Sequence, residues 1–335
     1  MSALRSVPID EIVRSGTIRD IDVLRLRTVI HSDGIVSDEE AEALLQINSI
    51  CSAQDPRWSE LFIEGITDYI VNQAEPEGYV TAEGAQWLLA QVAPAGAITR
   101  KNELDLIINV LDKARWAPVS LACFALGEIR RAVVDGVGPL RCGDVTDKGW
   151  ISDEEIEQVR RILYAFGSDG GVAVTRPEAD VLFDINDAIV NPQACPLWTD
   201  LFVKAVANVV MAVSGQAVPP REEALRSDAW LNERGNLSPL SILSAMVTSS
   251  LDSIWTVYRD QSPEERALAR LEQQRIEIIT NEEITQAEAG WLSERLSRDG
   301  RLGPSEAALI AYLNRESPNI HPDLQATVER LMRAA

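Results

Sequence analysis

The sequence predicts an all-α protein, a pseudo-duplicated multi-helix bundle of about four helical repeats with a helical insertion in its second half. Two observations carry this prediction. Apolar residues recur at helical spacing along most of the chain, as in the segment 58–70. Two blocks, 40–48 and 58–63, recur as 178–186 and 198–203 in the same order and at nearly the same spacing, which indicates an internal duplication.

The first predicted repeat spans residues 16–72, follows a short lead-in over 1–15, and contains about three helices. Its first helix ends in the turn 31–34, where Gly34 can adopt the left-handed conformation that terminates a helix. Ser37 then begins the second helix, and Glu40 completes a capping box. The third helix carries Trp58 on an apolar stripe, so we expect this side chain in the core.

The second predicted repeat spans residues 78–135 and closes the N-terminal half, 1–138. Thr81 caps its first helix, and its third helix is expected over 119–134. Its turn at Gly96 is a degraded copy of the turn at Gly34. Ala95 and Asn102 stand where the first repeat has acids, and Glu103 comes one residue late.

The C-terminal half, 139–335, holds predicted repeats 147–215 and 284–332, which are separated by a helical insertion over 216–283. The final helix is expected to be shortened and to end at Met332. The insertion contains an apolar stripe that either docks on a partner or membrane surface or covers the gap between the halves. The stripe consists of Leu240, Leu243, Val247, Leu251, Ile254 and Tyr258.

The net charge of −21, from 52 acidic and 31 basic residues, disfavours nucleic acid as a partner because phosphate backbones would be repelled. Cations and basic protein surfaces are the natural counterparts. No run reaches the roughly 18 apolar residues that a membrane span needs, although peripheral membrane association stays open. The chain start lacks an export signal, and its four cysteines form no C-x-x-C pair. These features favour a cytoplasmic protein with reduced thiols.

Few residues in this sequence point to catalysis. The chain has only two histidines and no phosphate-binding loop, nucleophile elbow or Cys–His pairing. A carboxylate-based enzyme stays possible as a third option, but no pair of acids can be singled out. We therefore predict a protein that acts by binding, without catalytic or cofactor-binding residues.

The repeated pattern Asp-Gly-x-hydrophobic-Ser-x-x-Glu resembles the tellurite-resistance TerB-type helical domain. The residues that carry the resemblance are Asp33 with Glu40, Asp169 with Glu178, and Asp299 with Glu306. The resemblance implies an all-helical fold, acidic residues that bind a metal ion, and a role in stress-linked, often membrane-associated protein complexes. It covers about 30 residues of each repeat.

A weaker resemblance connects residues 144–155 to the EF-hand calcium loop, which needs oxygen ligands around a central glycine. Asp144, Gly149 and Glu155 fit that loop, whereas Lys148 puts a cation where a ligand belongs. The acids also have a purely structural interpretation, in which each Asp belongs to a turn and each Glu caps a helix. The Asn residues that recur late in their helices, Asn48, Asn186 and Asn314, are expected to form helix-end or interhelix hydrogen bonds.

The sequence thus predicts a non-enzymatic, acidic protein-interaction or scaffold module that is TerB-like and metal-responsive. The alternative is a regulator that binds calcium or another divalent cation through the paired acids.

Overall fold

The computed structural model describes residues 7–30, 35–141, 148–165, 174–191, 195–211, 284, 286–298, 300, 302–316 and 321–334. These parts of the chain contain thirteen α-helices and two strands of two residues each, which confirms the predicted all-α class. The apolar insertion stripe, 240–258, lies outside the described residues. None of the described helices is both long and apolar enough to cross a membrane.

Seven α-helices lie within the described residues of the N-terminal half. In chain order its elements are α1 (Ile9–Ser15), β1 (Thr17–Ile18), α2 (Asp20–Ile30), α3 (Asp38–Ile50), β2 (Ala53–Gln54), α4 (Pro56–Thr67), a π-helical turn (Asp68–Gln73), α5 (Ala82–Val92), α6 (Lys101–Lys113) and α7 (Val119–Asp135). Helix α1 lies in the part of the chain that was predicted to be only a lead-in.

The C-terminal half contributes six α-helices to the described structure. They are α8 (Asp153–Leu163), α9 (Arg176–Ala188), α10 (Pro196–Met211), α11 (Gln286–Leu296), α12 (Pro304–Glu316) and α13 (Pro322–Ala334). Helix α13 has 13 residues, fewer than the 17 of α7 and the 16 of α10, and it ends at Ala334, two residues beyond the predicted end at Met332.

A short backbone contact recurs before the first helix of three successive units, α2–α4, α5–α7 and α8–α10. In each unit the chain between the second and third helices returns and donates an N–H to the carbonyl of a glycine with positive φ. The donor–acceptor pairs are Ala53 to Gly16 at 3.3 Å, Arg115 to Gly78 at 2.7 Å, and Val190 to Gly149 at 3.0 Å. A left-handed backbone is costly for residues with a Cβ atom, so glycine is favoured at these positions. Whether these units arose by duplication stays a prediction.

The units pack through their helices into a continuous core. Helix α4 packs on α6, α7 on α9, and α10 on α12, while α6 also contacts α8. Trp58 and Trp198 are both 0% exposed, as predicted. Each lies beside a phenylalanine of its own helix, with ring centroids 5.9 Å and 6.2 Å apart. Burial of such large rings contributes several kcal/mol of stability at about 25 cal/mol per Å².

Candidate functional site

Only the glutamates of the predicted metal sites fall within the described residues. The four aspartates that were paired with them, Asp33, Asp144, Asp169 and Asp299, lie outside the described residues. The described structure therefore places one partner of each predicted pair.

Each of these glutamates is the third residue of a helix and is at most 6% exposed. In every case a carboxylate oxygen accepts the backbone N–H of the residue that precedes the helix. The pairs are Glu40 with Ser37 at 2.9 Å, Glu155 with Ser152 at 2.9 Å, Glu178 with Thr175 at 2.8 Å, and Glu306 with Gly303 at 2.6 Å. The predicted capping role is confirmed, because N–H groups at a helix start have no partner within the helix.

Three further buried acids occupy the same position and were missed from the sequence. Asp22, Glu103 and Glu288 are each the third residue of a helix, in α2, α6 and α11. Glu103 does come one residue later after its glycine than Glu40, and it still occupies the third position of its helix. Helix α6 begins at Lys101, so Glu103 accepts the N–H groups of Thr99 at 3.2 Å and Arg100 at 3.1 Å. For Asp22 and Glu103 the detectable signal is a glycine, one residue, a buried apolar residue and then an acid four or five positions on, whereas Glu288 has no such glycine.

Glu155 has an additional partner that the sequence did not indicate. Arg141 donates from Nε to Glu155 Oε1 at 2.7 Å and from Nη2 to Oε2 at 3.0 Å. The two side chains are 4% and 1% exposed. A guanidinium group thus contacts both oxygens that the EF-hand resemblance assigns to calcium, so a metal ion at Glu155 would have to displace Arg141 or share its carboxylate.

The described residues contain no group of three or more His, Cys, Asp or Glu side chains placed to hold a metal ion. Metal binding at the repeated turns stays a prediction, because it depends on aspartates beyond the described residues. The glutamates alone are arranged for helix capping.

A buried polar network joins the first unit to the second. Asn48 Oδ1 accepts hydrogen bonds from Trp58 Nε1 at 3.1 Å, Gln54 Nε2 at 3.2 Å and Asn102 Nδ2 at 2.7 Å. Asn48 Nδ2 donates to Glu103 Oε1 at 3.3 Å. Burial raises the pKa of Glu103, against the opposing effects of the N–H groups of Arg100 and Thr99.

The recurring asparagines have different environments. Asn186 accepts a hydrogen bond from Trp198 Nε1 at 3.2 Å, which matches the Asn48–Trp58 contact in the first unit. The predicted interhelix role is therefore confirmed for Asn48 and Asn186. Asn314 is exposed near the end of α12.

The described thiols are poorly suited to nucleophilic chemistry. Burial, reinforced by Glu178 and Asp180, raises the pKa of Cys123 to about 11. Burial likewise raises the pKa of Cys51 and Cys195. Since the thiolate is the reactive form, these groups are protonated and unreactive at neutral pH.

An exposed apolar surface lies where α7, α8 and α9 meet. Val134, Trp150 and Val190 are 39%, 45% and 81% exposed, and we name this set the Trp150 patch. The backbone holds the three segments together, because Gly149 donates its N–H to Val133 at 2.8 Å and accepts that of Val190 at 3.0 Å. Gly149 also leaves room for Val190, whose Cγ2 would be 2.5 Å from a Cβ atom at that position.

Charged residues adjoin the Trp150 patch along the chain. Asp135 follows Val134, and Asp153 and Glu154 begin helix α8 just after Trp150. Lys148 is the nearest basic residue before Trp150. The acids outnumber the base here, in agreement with the net charge of the whole chain.

The comparisons with known proteins add no relative to these observations, since no family model, no curated protein and no solved structure matches this chain.

Proposed function

We propose that the protein is a non-enzymatic, acidic helical scaffold of TerB-like character that binds another protein. It works in the cytoplasm, and its metal response is conveyed by the repeated Asp–Glu turns. The observation that carries the proposal is the Trp150 patch, a large aromatic and two branched side chains exposed together on an acidic protein.

The composition of the patch supports protein binding. Trp is enriched among the residues that dominate binding energy, because its large ring becomes desolvated in the centre of an interface. A charged rim mainly sets the rate of association and the choice of partner. The partner that fits best presents an apolar anchor surrounded by Lys and Arg side chains.

The buried acids support a scaffold over an enzyme. Glu40, Glu178 and Glu306 accept hydrogen bonds at helix starts, and Glu155 is also paired with Arg141. These groups fix the starts of their helices. Cys51, Cys123 and Cys195 form no disulfide, which suits the reducing cytoplasm.

The proposal can be tested with the full chain and two matched variants. Trp150→Ser removes the aromatic side chain of the patch, whereas Leu24→Ser removes an apolar side chain of similar exposure, 48%, from helix α2. Proteins that co-purify with the wild-type chain are identified, and their affinities for each variant are measured by calorimetry. We expect Trp150→Ser to weaken binding by at least about tenfold and Leu24→Ser to leave it unchanged.

Equal binding by both variants would refute a role for the Trp150 patch. A chain that purifies as a monomer without any partner would refute the scaffold function itself.

A further inference from the structure

A groove between α10 and α12 lies at the end of the series of helical units. It has a volume of about 640 Å³ and is lined mainly by apolar and small side chains. Its α12 wall consists of Pro304, Ala308, Ala311, Tyr312 and Arg315. The opposite wall includes Asp200 and Val203 of α10.

Helix α12 corresponds to α6 in its position within the fold. Each has 13 residues, and each begins with a buried glutamate in third position that accepts the N–H of the residue before the helix. Each also packs against the third helix of the preceding unit, α4 on α6 and α10 on α12. Aligning the helix starts pairs Lys101 with Pro304 and carries the correspondence along both helices.

On α6 the face that corresponds to the groove is covered by helix α8. Lys101 forms an ion pair with Glu154, and Arg161 lies 3.5 Å from Asp112. Asp105 lies on the same stripe, and its pKa is raised by burial. Of the two α8 residues near it, Arg161 lowers this pKa and Glu154 raises it. Residues 101, 105, 108 and 112 form one stripe because they recur at i, i+4, i+7 and i+11.

The equivalent stripe on α12 is 304, 308, 311 and 315, which are the residues that line the groove. Ile108 is 0% exposed on α6, whereas Ala311 at the same helix position is exposed. Small residues replace the larger side chains of α6 at 308 and 311. A helix could therefore approach the α12 backbone closely.

We propose that the α10–α12 groove binds an amphipathic helix of a partner protein in the way that α6 receives α8. The inference names a second contact surface and rests on the proposed protein-binding function. Arg315 stands where α6 has Asp112, and it pairs with Glu316 at 2.8 Å, while Asp200 of the opposite wall pairs with Lys204 at 2.8 Å. The change from Asp112 to Arg315 favours an incoming helix with a carboxylate where α8 carries Arg161. Its apolar face follows the i, i+3, i+4, i+7 spacing that helix-in-groove recognition uses.

Two labelled peptides test the groove directly on the full-length chain. Both have the sequence of residues 152–165, and one carries Arg161→Glu so that a carboxylate can face Arg315. Fluorescence anisotropy measures their affinities. We expect saturable binding of the Arg161→Glu peptide, about tenfold stronger than that of the unmodified peptide, because like charges oppose the latter.

A matched pair of variants locates the binding. Ala311→Glu places a charged side chain in the groove, whereas Ala90→Glu makes the same change at an exposed alanine of α5. Ala311→Glu should weaken peptide binding by at least about tenfold, and Ala90→Glu should not change it. No saturable binding of either peptide, or equal binding to both variants, would overturn the inference.

A photo-crosslinking residue at position 311 identifies what occupies the groove in the chain without peptide. A crosslink to residues 212–283 of the same molecule, or to a second copy, would overturn the assignment to a partner helix. No crosslink in the chain alone, together with a crosslink to the Arg161→Glu peptide when it is added, would support it. Because the Trp150 patch is unchanged in these experiments, failure here leaves the test with Trp150→Ser independent.

Discussion

The two halves of the chain rely on different polar contacts. The first two units are joined by a buried network centred on the neutral side chain of Asn48, which connects Trp58 to Glu103. Two contacts of the C-terminal half are ion pairs: Arg141 with Glu155 is buried, and Arg298 with Asp184 is exposed. The N-terminal half also has ion pairs, such as Arg131 with Glu128, so the comparison is between these particular contacts. One tryptophan–asparagine contact is common to both halves, but its surroundings differ.

Helices that begin with the same kind of capping acid are thus connected by neutral hydrogen bonds in one place and by ion pairs in another. A neutral network is insensitive to salt and depends on each donor finding its acceptor. A buried ion pair depends on both partners, and an exposed one is screened by solvent and salt. Substitutions at Arg141, Asn48, Glu103 and Arg298 test how the neutral network and the ion pairs differ in their effect on stability.

Arg141→Met should cause the largest loss of stability. It leaves Glu155 buried without its cation, so we expect the free energy of unfolding to fall by about 3–5 kcal/mol. Urea denaturation followed by circular dichroism measures the change. The double variant Arg141→Met with Glu155→Leu removes both charges and should recover much of the loss, and a single variant that costs less than about 1 kcal/mol would contradict the role of the pair.

Asn48→Ala should have the next largest effect, about 2 kcal/mol, because Trp58 Nε1 loses its acceptor in the core while Asn102 and Glu103 each lose one partner. Gln54 keeps the backbone carbonyl of Cys51 as an acceptor. Asn186→Ala is the matched variant, and it should cost about 1 kcal/mol because one donor, Trp198, loses its acceptor. Urea denaturation of both variants tests the ranking. Equal losses would show that the extra bonds of Asn48 add nothing.

Local features of the fold could be predicted from the sequence. The capping residues Ser37 and Glu40 lie three positions apart, so their hydrogen bonds are visible as a short pattern. The apolar spacing around Trp58 likewise predicts its burial. The starts of α3 and α5 and the burial of Trp58 and Trp198 were predicted correctly for this reason.

Contacts between distant residues could not be predicted in the same way. Asn48 and Glu103 are separated by 55 positions, and Arg141 reaches Glu155 from a loop without periodicity. Such pairs depend on how helices pack, and packing is not encoded in a local pattern. The Trp150 patch and the α10–α12 groove also arise only when separate helices meet.

Glu103→Gln should change how stability depends on pH. Burial raises the pKa of Glu103, so the folded state holds this proton more tightly than the unfolded state. Its contribution is therefore largest at low pH and declines as pH rises through the ordinary value towards the raised pKa. We expect the stability of the wild type relative to Glu103→Gln to fall as the pH rises above 4.5, the ordinary pKa of a glutamate, as measured by urea denaturation. A pH-independent difference would contradict a raised pKa.

Arg298→Gln should have the smallest effect, below about 1 kcal/mol, because its side chain is 55% exposed and Asp184 is 32% exposed. Arg298 also lies 3.6 Å from Asp187, so the substitution removes two exposed attractions between α9 and the end of α11. Raising the sodium chloride concentration should reduce the difference from the wild type, while the cost of Asn48→Ala should stay constant. Thermal unfolding of both variants in low and high salt measures this contrast. If salt lowered the cost of Asn48→Ala as strongly as that of Arg298→Gln, the Asn48 network would depend on charge as much as the Arg298 ion pair.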